Sequence, residues 1–456
     1  LRFFFSLPAK GSGGGIFDAE QAWLMFEQEL TAIVNYTFVY NTYNLVAKDL
    51  LRQSIEIQQI RLQIQHYMLQ HGLSVFVNNG ACLVRRSGID DRPDNSPNVI
   101  KFQSPQHTQM EIPLSSGHCI KGMGIKEGVC CITGGGYHGK STLLQAILDG
   151  VYAHIADDGR EFVVTRSDAV FIRAEQGRSI SNVDISPFIT DLPNGIETSC
   201  FSSDNASGST SQAASIVESI ESGSRLLLFD EDTCANNLLI RDKLIEEVLD
   251  TGSDPIKPLY SSLRSLWQQQ HVSMIFVVGG LGLFLQKADV CLLMDNYQCK
   301  DITSKVRAKL GAVVEDCEPI RTVSNDRVLA FNNFDPAYTN FRLKKDLPKR
   351  IKDLRNAPKC LEYGMDLINL EALPQLVEAP QLLSIGYCLL KIHQQMQLQD
   401  DEHTIEYWLG WLFEELDKKG LGCLQPDYPG SLSLPRKYEV SAAINRIRSL
   451  NIKTNN

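Results

Sequence analysis

Four glycines, a lysine and two hydroxyl residues crowd into nine positions of this chain: Gly134, Gly135, Gly136, Tyr137, His138, Gly139, Lys140, Ser141 and Thr142. The apolar stretch Val129–Ile132 precedes them and the helical Leu143-Leu144-Gln145-Ala146-Ile147-Leu148 follows. The run fits G-x-x-x-x-G-K-[ST] in the strand–loop–helix setting that gives the pattern its meaning. Glycines let backbone amides turn inward around phosphates at a helix N-terminus, where the dipole favours negative charge. Lys140 is expected to reach the β- and γ-phosphates of ATP, and Ser141 to hold Mg²⁺.

Ninety residues beyond Lys140, the apolar Leu226–Phe229 ends in the acidic pair Asp230-Glu231. Asp230 is expected to hold Mg²⁺ directly or through water, and Glu231 to orient or deprotonate the attacking water. An acidic helix cap is the plainer reading of the pair, but the preceding parallel strand and the spacing from Lys140 argue against it. Twenty-three residues before Asp230, Ser207-Gly208-Ser209-Thr210-Ser211-Gln212 opens a helix through Glu221. Small hydroxyl residues and glycine at a helix start make an anion site, with a Ser-rich N-cap as the alternative.

The elements that position these residues follow from the apolar pattern. Val129–Ile132, Ala169–Arg173, Arg225–Phe229, Met274–Val278 and Val290–Met294 read as strands separated by helices, which predicts βα units and a mainly parallel sheet. Upstream, Leu1–Pro8 reads as a strand and Gly11–Gly15 as a flexible loop. Asp18 caps a helix through Leu30, Val46–Gln70 is a longer helix, Leu73–Val77 is a short strand, and 86–98 is a loop. Downstream, Gln381–Leu398, Thr404–Lys418 and Val440–Leu450 carry helical patterns. The fold class is therefore α/β: a central nucleotide-binding domain at 114–322, an α/β domain at 1–113, and an α/β or mostly helical domain at 323–456.

At 456 residues the chain is too long for one core, and 43% hydrophobic with 21% charged residues describes an ordinary globular protein. No apolar run reaches the roughly 18 residues that span a bilayer, so no membrane partner is expected. The chain does not begin with Met, which predicts that an upstream segment, with any targeting peptide, has been removed. Its 12 cysteines lack Cys-x-x-Cys or metal-ligand spacing and read as free thiols in a reducing, intracellular compartment. The net charge of −10 is uneven. Residues 1–113 hold 9 basic and 10 acidic side chains and 323–456 hold 17 of each, leaving 18 against 27 in the middle. Local patches, not the whole-chain balance, decide what the flanks can bind.

The segments GMGIKEGVCCITGGGYHGKSTLL, FVVTRSDAVFIRAEQGR, VDISPFITDLP, ASGSTSQAA, LLLFDEDTCANNLLIRD, DPIKPLY, FVVGG and ADVCLLMDNY together resemble the predicted ATPases of the ABC class. The resemblance covers 114–305, with LPAKG, FQSP and RKYEVSAAINRIR similar in the flanks. It implies an ABC-type fold, ATP or ADP with Mg²⁺, and a homodimer that clamps two ATP molecules between its copies. Gly134, Gly139, Lys140, Ser141 and Thr142 then serve phosphate and Mg²⁺, Ser207, Gly208 and Ser209 the signature role, and Asp232 to Asn236 the loop linking the two sites. Three departures stand out. Tyr137 occupies a usual glycine position. Gly279-Gly280 stands where a switch histidine contacts the γ-phosphate, and His271 lies at the wrong end of that strand. Gln176 and Asp184 both remain open for the glutamine-loop role. These departures leave the hydrolysis rate undetermined.

Within this family the resemblance is nearest to a member associated with mitochondrial RNA editing in kinetoplastids. That implies RNA as a partner, a larger ribonucleoprotein complex and the mitochondrial matrix. One feature of the residues agrees. Arg342, Lys344, Lys345, Lys349, Arg350, Lys352, Arg355 and Lys359 face only Asp346 and Asp353, a local net of +6. Arg436, Lys437, Arg446 and Arg448 form a smaller cluster. A concentrated basic face is a phosphate-binding footprint, with a solvated helix face as the alternative. Trp408 and Trp411 read as core residues before they read as base-stacking platforms. Two other functions stay open: a protein assembly or remodelling ATPase, and a slow nucleotide-gated scaffold.

Overall fold

A computed structural model describes residues 5–9, 17–88, 90–190, 192–193, 195–241, 254–316, 320–323, 327–329, 341–343, 359–364, 366–399, 402–425, 429–450 and 452–454. Asp18 caps the first helix, its carboxylate accepting from Glu20 N and Gln21 N at 3.1 and 3.3 Å. That helix, α1 (Ala19–Leu24), runs through a π-type turn at Met25–Leu30 into α2 (Thr31–Phe38). Asn44 caps α3 (Leu45–Gln70) through Ala47 N at 2.8 Å. Ile57, Arg61, Ile64 and Met68 recur at helical spacing and are its buried stripe. The expected opening strand is absent from the described part: Phe5–Pro8 form no regular element, and Ala9 makes one bridge to Phe17. Residues 1–4 and the Gly11–Gly15 loop lie outside the described residues.

The strand β1 (Leu73–Asn78) is followed by the short hairpin β2 (Arg85–Ser87) and β3 (Asp90–Pro93). The stretch 86–98 is thus not all loop. Arg85 reaches Asp158 at 2.8 Å from the base of this hairpin and fixes it to the body. A second hairpin joins β4 (Gln109–Pro113) to β5 (Cys119–Lys126), and the chain then enters β6 (Val129–Thr133). After α4 (Lys140–Asp149), β7 (Val163–Thr165) returns to pair with β1, completing an antiparallel sheet in the order β4-β5-β1-β7. Pairings on both sides of residue 113 therefore share one sheet.

The central sheet follows from the remaining apolar runs: β8 (Ala169–Ile172), then the side pair β9 (Ile180–Val183) and β10 (Phe201–Ser203), helix α5 (Gly208–Glu221), β11 (Leu226–Asp230), helix α6 (Leu259–Gln270), β12 (Ser273–Val278), β13 (Val290–Asp295) and β14 (Gln298–Asp301). Its order is β14-β13-β6-β12-β11-β8, parallel throughout except for β13–β14. Strand alternation gives each face its own core. Leu226 and Leu228 pack with Leu143, Leu144 and Ile147 of α4, while Leu227 and Phe229 pack with Ala213, Ile216 and Val217 of α5.

The C-terminal part is α/β. It comprises β15 (Arg327–Leu329), an antiparallel sheet of β16 (Phe341–Leu343), β17 (Cys360–Tyr363) and β18 (Asp366–Asn369), helices α7 (Ala379–Gln399), α8 (Ile405–Lys419) and α9 (Lys437–Ile444), and β19 (Ile452–Thr454), which pairs with β15. The last helix ends at Ile444, not Leu450, and Ile444–Leu450 continue as turns packed on the core. Trp408 is fully buried in that core, which removes it as a base-stacking platform, and Trp411 packs edge-on against it. Seven of the described cysteines are buried.

Candidate functional site

Parallel strands present their C-terminal ends on one edge of the sheet, so the residues just beyond β6, β8, β11 and β12 converge there. β6 runs into the glycine loop. Gly134 has φ 145°, and a Cβ on it would lie 2.2 Å from Met294 O of β13, so only glycine fits. Gly139, at φ 94°, opens α4. Lys140 Nζ donates to Gly134 O at 2.7 Å and Gly135 O at 2.8 Å, folding its charge over the loop that it serves. Ser141 is exposed at the start of α4, and Thr142 lies half-buried beside it. Tyr137 is held left-handed at φ 63° and is 98% exposed, so its ring leaves the loop open and does not fill it.

β11 delivers Asp230 to the same edge. Burial pushes the Asp230 carboxyl up; Asp232 and Glu231 add like charge, and Lys140 opposes the shift. Glu231 is fixed by the loop after β12: its Oε2 accepts from Gly279 N at 2.7 Å and Gly280 N at 3.0 Å. The two glycines noted for lacking a histidine thus have a different task, holding a carboxylate by backbone amides. His271 caps the far end of α6, before β12 begins. The oxygen-only donor set of Ser141 and Asp230, beside carboxylates that crowd one another, suits a hard divalent cation such as Mg²⁺. Among the described residues no cluster of three or more His, Cys, Asp or Glu offers a further metal centre.

A support absent from the sequence reading comes from the β13–β14 hairpin. Asn296 and Tyr297 form a two-residue turn with φ 49° and 63°, the conformation that asparagine favours in such turns. Asn296 N donates to His138 Nδ1 at 3.0 Å and Tyr297 N to His138 O at 3.2 Å, clamping the glycine loop from outside. Asp-Asn between two alternating strands was the available signal.

Ser207 caps α5 by accepting from Thr210 N at 3.4 Å. Its neighbours reach away from the chain's own glycine loop. Ser209 donates to Asn237 Oδ1 at 3.2 Å, Gln212 accepts from Ala235 N at 2.7 Å, and Ser211 Oγ accepts from Glu175 N at 2.9 Å. Gly208 packs between Ala174, Ala235 and Gln176. The Ser-rich turn is therefore joined to the loop after Glu231 and to the segment after β8. Gln176 belongs to that segment, whereas Asp184 accepts from Ser186 N at 3.0 Å and pairs with Arg321.

The basic residues divide differently from expectation. Arg342 lies in β16, and Lys344, Lys345, Lys349, Arg350, Lys352 and Arg355 fall outside the described residues. Lys359 is buried and donates to Leu373 O at 2.8 Å, so it is no nucleic-acid contact. Two members of the smaller cluster are engaged with carboxylates. Arg436 donates to Ala169 O at 2.8 Å and pairs with Glu439, and Arg446 forks onto Glu175, whereas Arg448 is exposed and donates to Asp204 O at 2.7 Å. A guanidinium already paired with a buried carboxylate is not available to a phosphate.

The uncharacterized protein MJ1628 of Methanocaldococcus jannaschii is 34% identical over 219 residues, covering 46% of this chain and 47% of that protein. The chain thus spans about half the length of the curated relative that it matches. Among solved structures, cbiO1 from Clostridium perfringens, part of the ABC transporter complex cbiONQ, is 13% identical over 53% of this chain and 92% of its own, with a TM-score of 0.29. A bacterial Atm1-family ABC exporter with ATP bound is 15% identical over 50% of this chain and 38% of its own, with a TM-score of 0.27. Residues 355–453 match the MRB1590 C-terminal domain (MRB1590_C). Residues 47–327 match the P-loop domain of the ABC_ATPase family, and the chain belongs to that family.

Proposed function

We propose that this chain binds and hydrolyses ATP with Mg²⁺ at sites completed by a second copy, and couples closure of those sites to work on RNA. The observation that carries the ATPase reading is the placement of Glu231, one residue beyond Asp230, with its carboxylate held by two backbone amides. A base so fixed keeps one oxygen free to orient water and accept its proton. Lys140 and the amides of Gly134 to Thr142 bind the phosphates, and Ser141 and Asp230 hold Mg²⁺, which when bound neutralises charge on the β- and γ-phosphates. Ser207, Gly208 and Ser209 serve ATP held by the other copy, a role that rests on the family resemblance; the hydrogen bonds of this turn run to Asn237, Ala235 and Glu175. Gln176 takes the glutamine-loop role, because it lies against the start of α5. The division 1–113, 114–322 and 323–456 is kept as a proposal. Because the β4–β5 hairpin and the β1–β7 pairing cross residue 113, its first two parts move as one body.

RNA as the partner rests on the family resemblance and on the basic residues between 342 and 355. Filter binding of single-stranded RNA at two salt concentrations tests it. Lys344, Lys345 and Lys349→Gln should lower the magnitude of the salt slope by roughly 2, at about 0.7 per phosphate contact, with ATP affinity untouched. An unchanged slope, or no RNA binding by the parent at low salt, overturns the RNA role. One observation favours a second reading, remodelling of a protein partner: Arg436 and Arg446 are taken up by Glu439 and Glu175 inside the chain. Phosphate release stimulated by a protein extract depleted of RNA supports that reading. A mitochondrial matrix location rests on the same resemblance, and cell fractionation tests it.

A further inference from the structure

The C-terminal end of α4 opens onto a cleft of about 760 Å³, within the roughly 300–1,000 Å³ of small-molecule sites. Three separate segments wall it: the β2–β3 hairpin, the turn after α4, and the chain around the start of α7 together with Leu434. Two large aliphatic side chains stand in it uncovered, Ile155 at 81% exposure and Leu434 at 53%. Tyr152 lines it half-buried. Its hydroxyl donates to Gln375 O at 2.7 Å and accepts from Gln381 Nε2 at 3.1 Å, so the ring, and not the hydroxyl, is left for a ligand.

The polar groups of the cleft are mostly acidic. Asp91, Asp149, Asp157, Asp158 and Glu378 line it, and Asp90 precedes them on the hairpin. Four guanidiniums answer these six carboxylates. Arg160 pairs with Asp149 at 2.7 Å, and Arg85 reaches Asp158 at 2.8 Å and Asp91 at 3.7 Å. Arg92 pairs with Asp90 at 2.6 Å, and Arg86 is exposed on the hairpin. His154 also rests on Asp158, at 2.7 Å. Two carboxylates are in excess, and Asp157 and Glu378 are the exposed ones outside these pairs. The end of α4 adds the negative pole of a helix.

We propose that this cleft binds a linear aliphatic polyamine. The acidic excess and the helix pole both favour a cation, and both oppose an anion. The exposed aliphatic groups favour a ligand with a long apolar body. A single ammonium meets one carboxylate, whereas Asp91, Asp157 and Glu378 come from three segments of the chain. Ammonium groups spaced by methylenes reach more than one of them while the methylenes lie on Ile155, Leu434 and Pro93. An uncharged apolar ligand would leave Asp157 and Glu378 without a counter-ion. Occupancy links all three segments to α4, the helix that begins with Lys140. The phosphate grip is at the other end of that helix, about 15 Å away at 1.5 Å per residue, so the cleft is separate from it.

Isothermal titration calorimetry of the full chain with spermidine tests the proposal, without nucleotide or RNA and at about 0.15 M salt to screen loose surface attraction. The expected result is one saturable site per chain. Asp157→Asn with Glu378→Gln should weaken it about tenfold, the combined effect of two exposed charge pairs. Both changes spare the fold: asparagine accepts the left-handed φ of 63° at position 157, and a glutamine carbonyl still accepts from Ser433 Oγ. An unchanged melting temperature checks this. n-Butylamine, with one ammonium, should bind at least about tenfold more weakly than spermidine. Glu414→Gln, on the exposed face of α8, and Lys140→Ala should both bind spermidine as the parent does. No saturable binding by the parent overturns the proposal, as does a double variant that binds like the parent or an equal loss in Glu414→Gln. Loss in Lys140→Ala also overturns it, by placing spermidine at the glycine loop. So does n-butylamine binding as tightly as spermidine, which would make the cleft a site for a single ammonium.

Discussion

The catalytic edge of the central sheet and the junction with the C-terminal part are built from opposite materials. At the edge, short groups and backbone atoms do the holding: glycine amides on Glu231, glycine carbonyls on Lys140, a hairpin amide on His138. At the junction, long side chains bridge buried surfaces. Arg327 forks onto Glu221 at 2.9 and 3.1 Å and reaches Asn445 Oδ1 at 2.9 Å, and Arg446 pairs with Glu175, while on the central side Arg178 pairs with Glu218. Both ends of α5 are thereby fixed, its start by the loops of the edge and its last turn by Arg178 and Arg327. The edge can be rearranged by a ligand, because its holds are hydrogen bonds to backbone atoms of loops, with no buried ion pair among them. The junction cannot open cheaply, since parting a buried ion pair leaves an uncompensated charge. Motion begun at the edge should therefore carry α5 and the C-terminal part together.

Substitutions that strike one region and spare the other sharpen this contrast. The largest effect is expected at Glu231→Gln, where phosphate release should fall about 10²–10⁴-fold while ATP stays bound. The amide carbonyl can still accept from Gly279 N and Gly280 N, so the geometry survives and only the proton acceptor is lost. Steady-state phosphate assay and nucleotide titration check both halves.

Next comes the junction. Arg327→Met should lower stability by about 3–5 kcal/mol, read by chemical denaturation, with ATP affinity of the folded fraction near the parent value. Burial pushes the Glu221 carboxyl up even with Arg327 opposing the shift. Its folded form thus binds a proton more tightly than the unfolded chain, and its contribution improves as pH falls. The loss in Arg327→Met should accordingly shrink from pH 7 towards pH 5. Glu175 has the opposite sign. Burial would raise it, but Arg446, Arg178 and Arg173 outweigh burial and hold it below the usual glutamate range. Its contribution persists above that range and is lost only as pH falls through the lowered value.

Lys140→Ala should weaken ATP binding about 100-fold, because a point charge beside the β- and γ-phosphates is lost. Stability should change by less than about 0.5 kcal/mol, since the lysine is half-exposed and holds only loop carbonyls. A smaller effect is expected on acidification. With Asp230 raised by burial, Mg²⁺-dependent ATP affinity should begin to fall at higher pH than an ordinary aspartate would allow. Asp230→Asn should remove that step from the titration.

The two regions also differ in how far the sequence revealed them. Residues 134–142 and 230–231 are contiguous, so their spacing alone gave strand, loop and role. Five strands of the central sheet were readable within about one residue, because uninterrupted apolar runs bounded by turns admit few alternatives, whereas the polar β14 (Gln298–Asp301) was not read. The junction was not. Arg327 and Glu221 lie 106 positions apart, Arg446 and Glu175 271, and no local pattern links them. Basic residues near the C-terminus therefore read as a surface patch, although Arg446 is buried beside Glu175 and the half-buried Arg436 pairs with Glu439. Gly279-Gly280 was visible as a missing histidine, but its hold on Glu231 depends on β11 and β12 lying side by side.

Whether each site is shared between two chains can be decided by co-expressing Lys140→Ala and Ser207→Arg chains and measuring ATP hydrolysis. Each variant alone should be inactive, the first lacking its phosphate grip and the second carrying a bulky cation where the other chain's γ-phosphate must fit. In a random mixture half the dimers pair unlike chains, and one of their two sites joins an intact glycine loop to an intact Ser207 turn. Activity should then return to about one quarter of the parent rate if the sites act independently. Full activity of Ser207→Arg alone, with the mixture never exceeding the mean of its two components, would show that the Ser207 turn only caps its helix and that each chain works by itself.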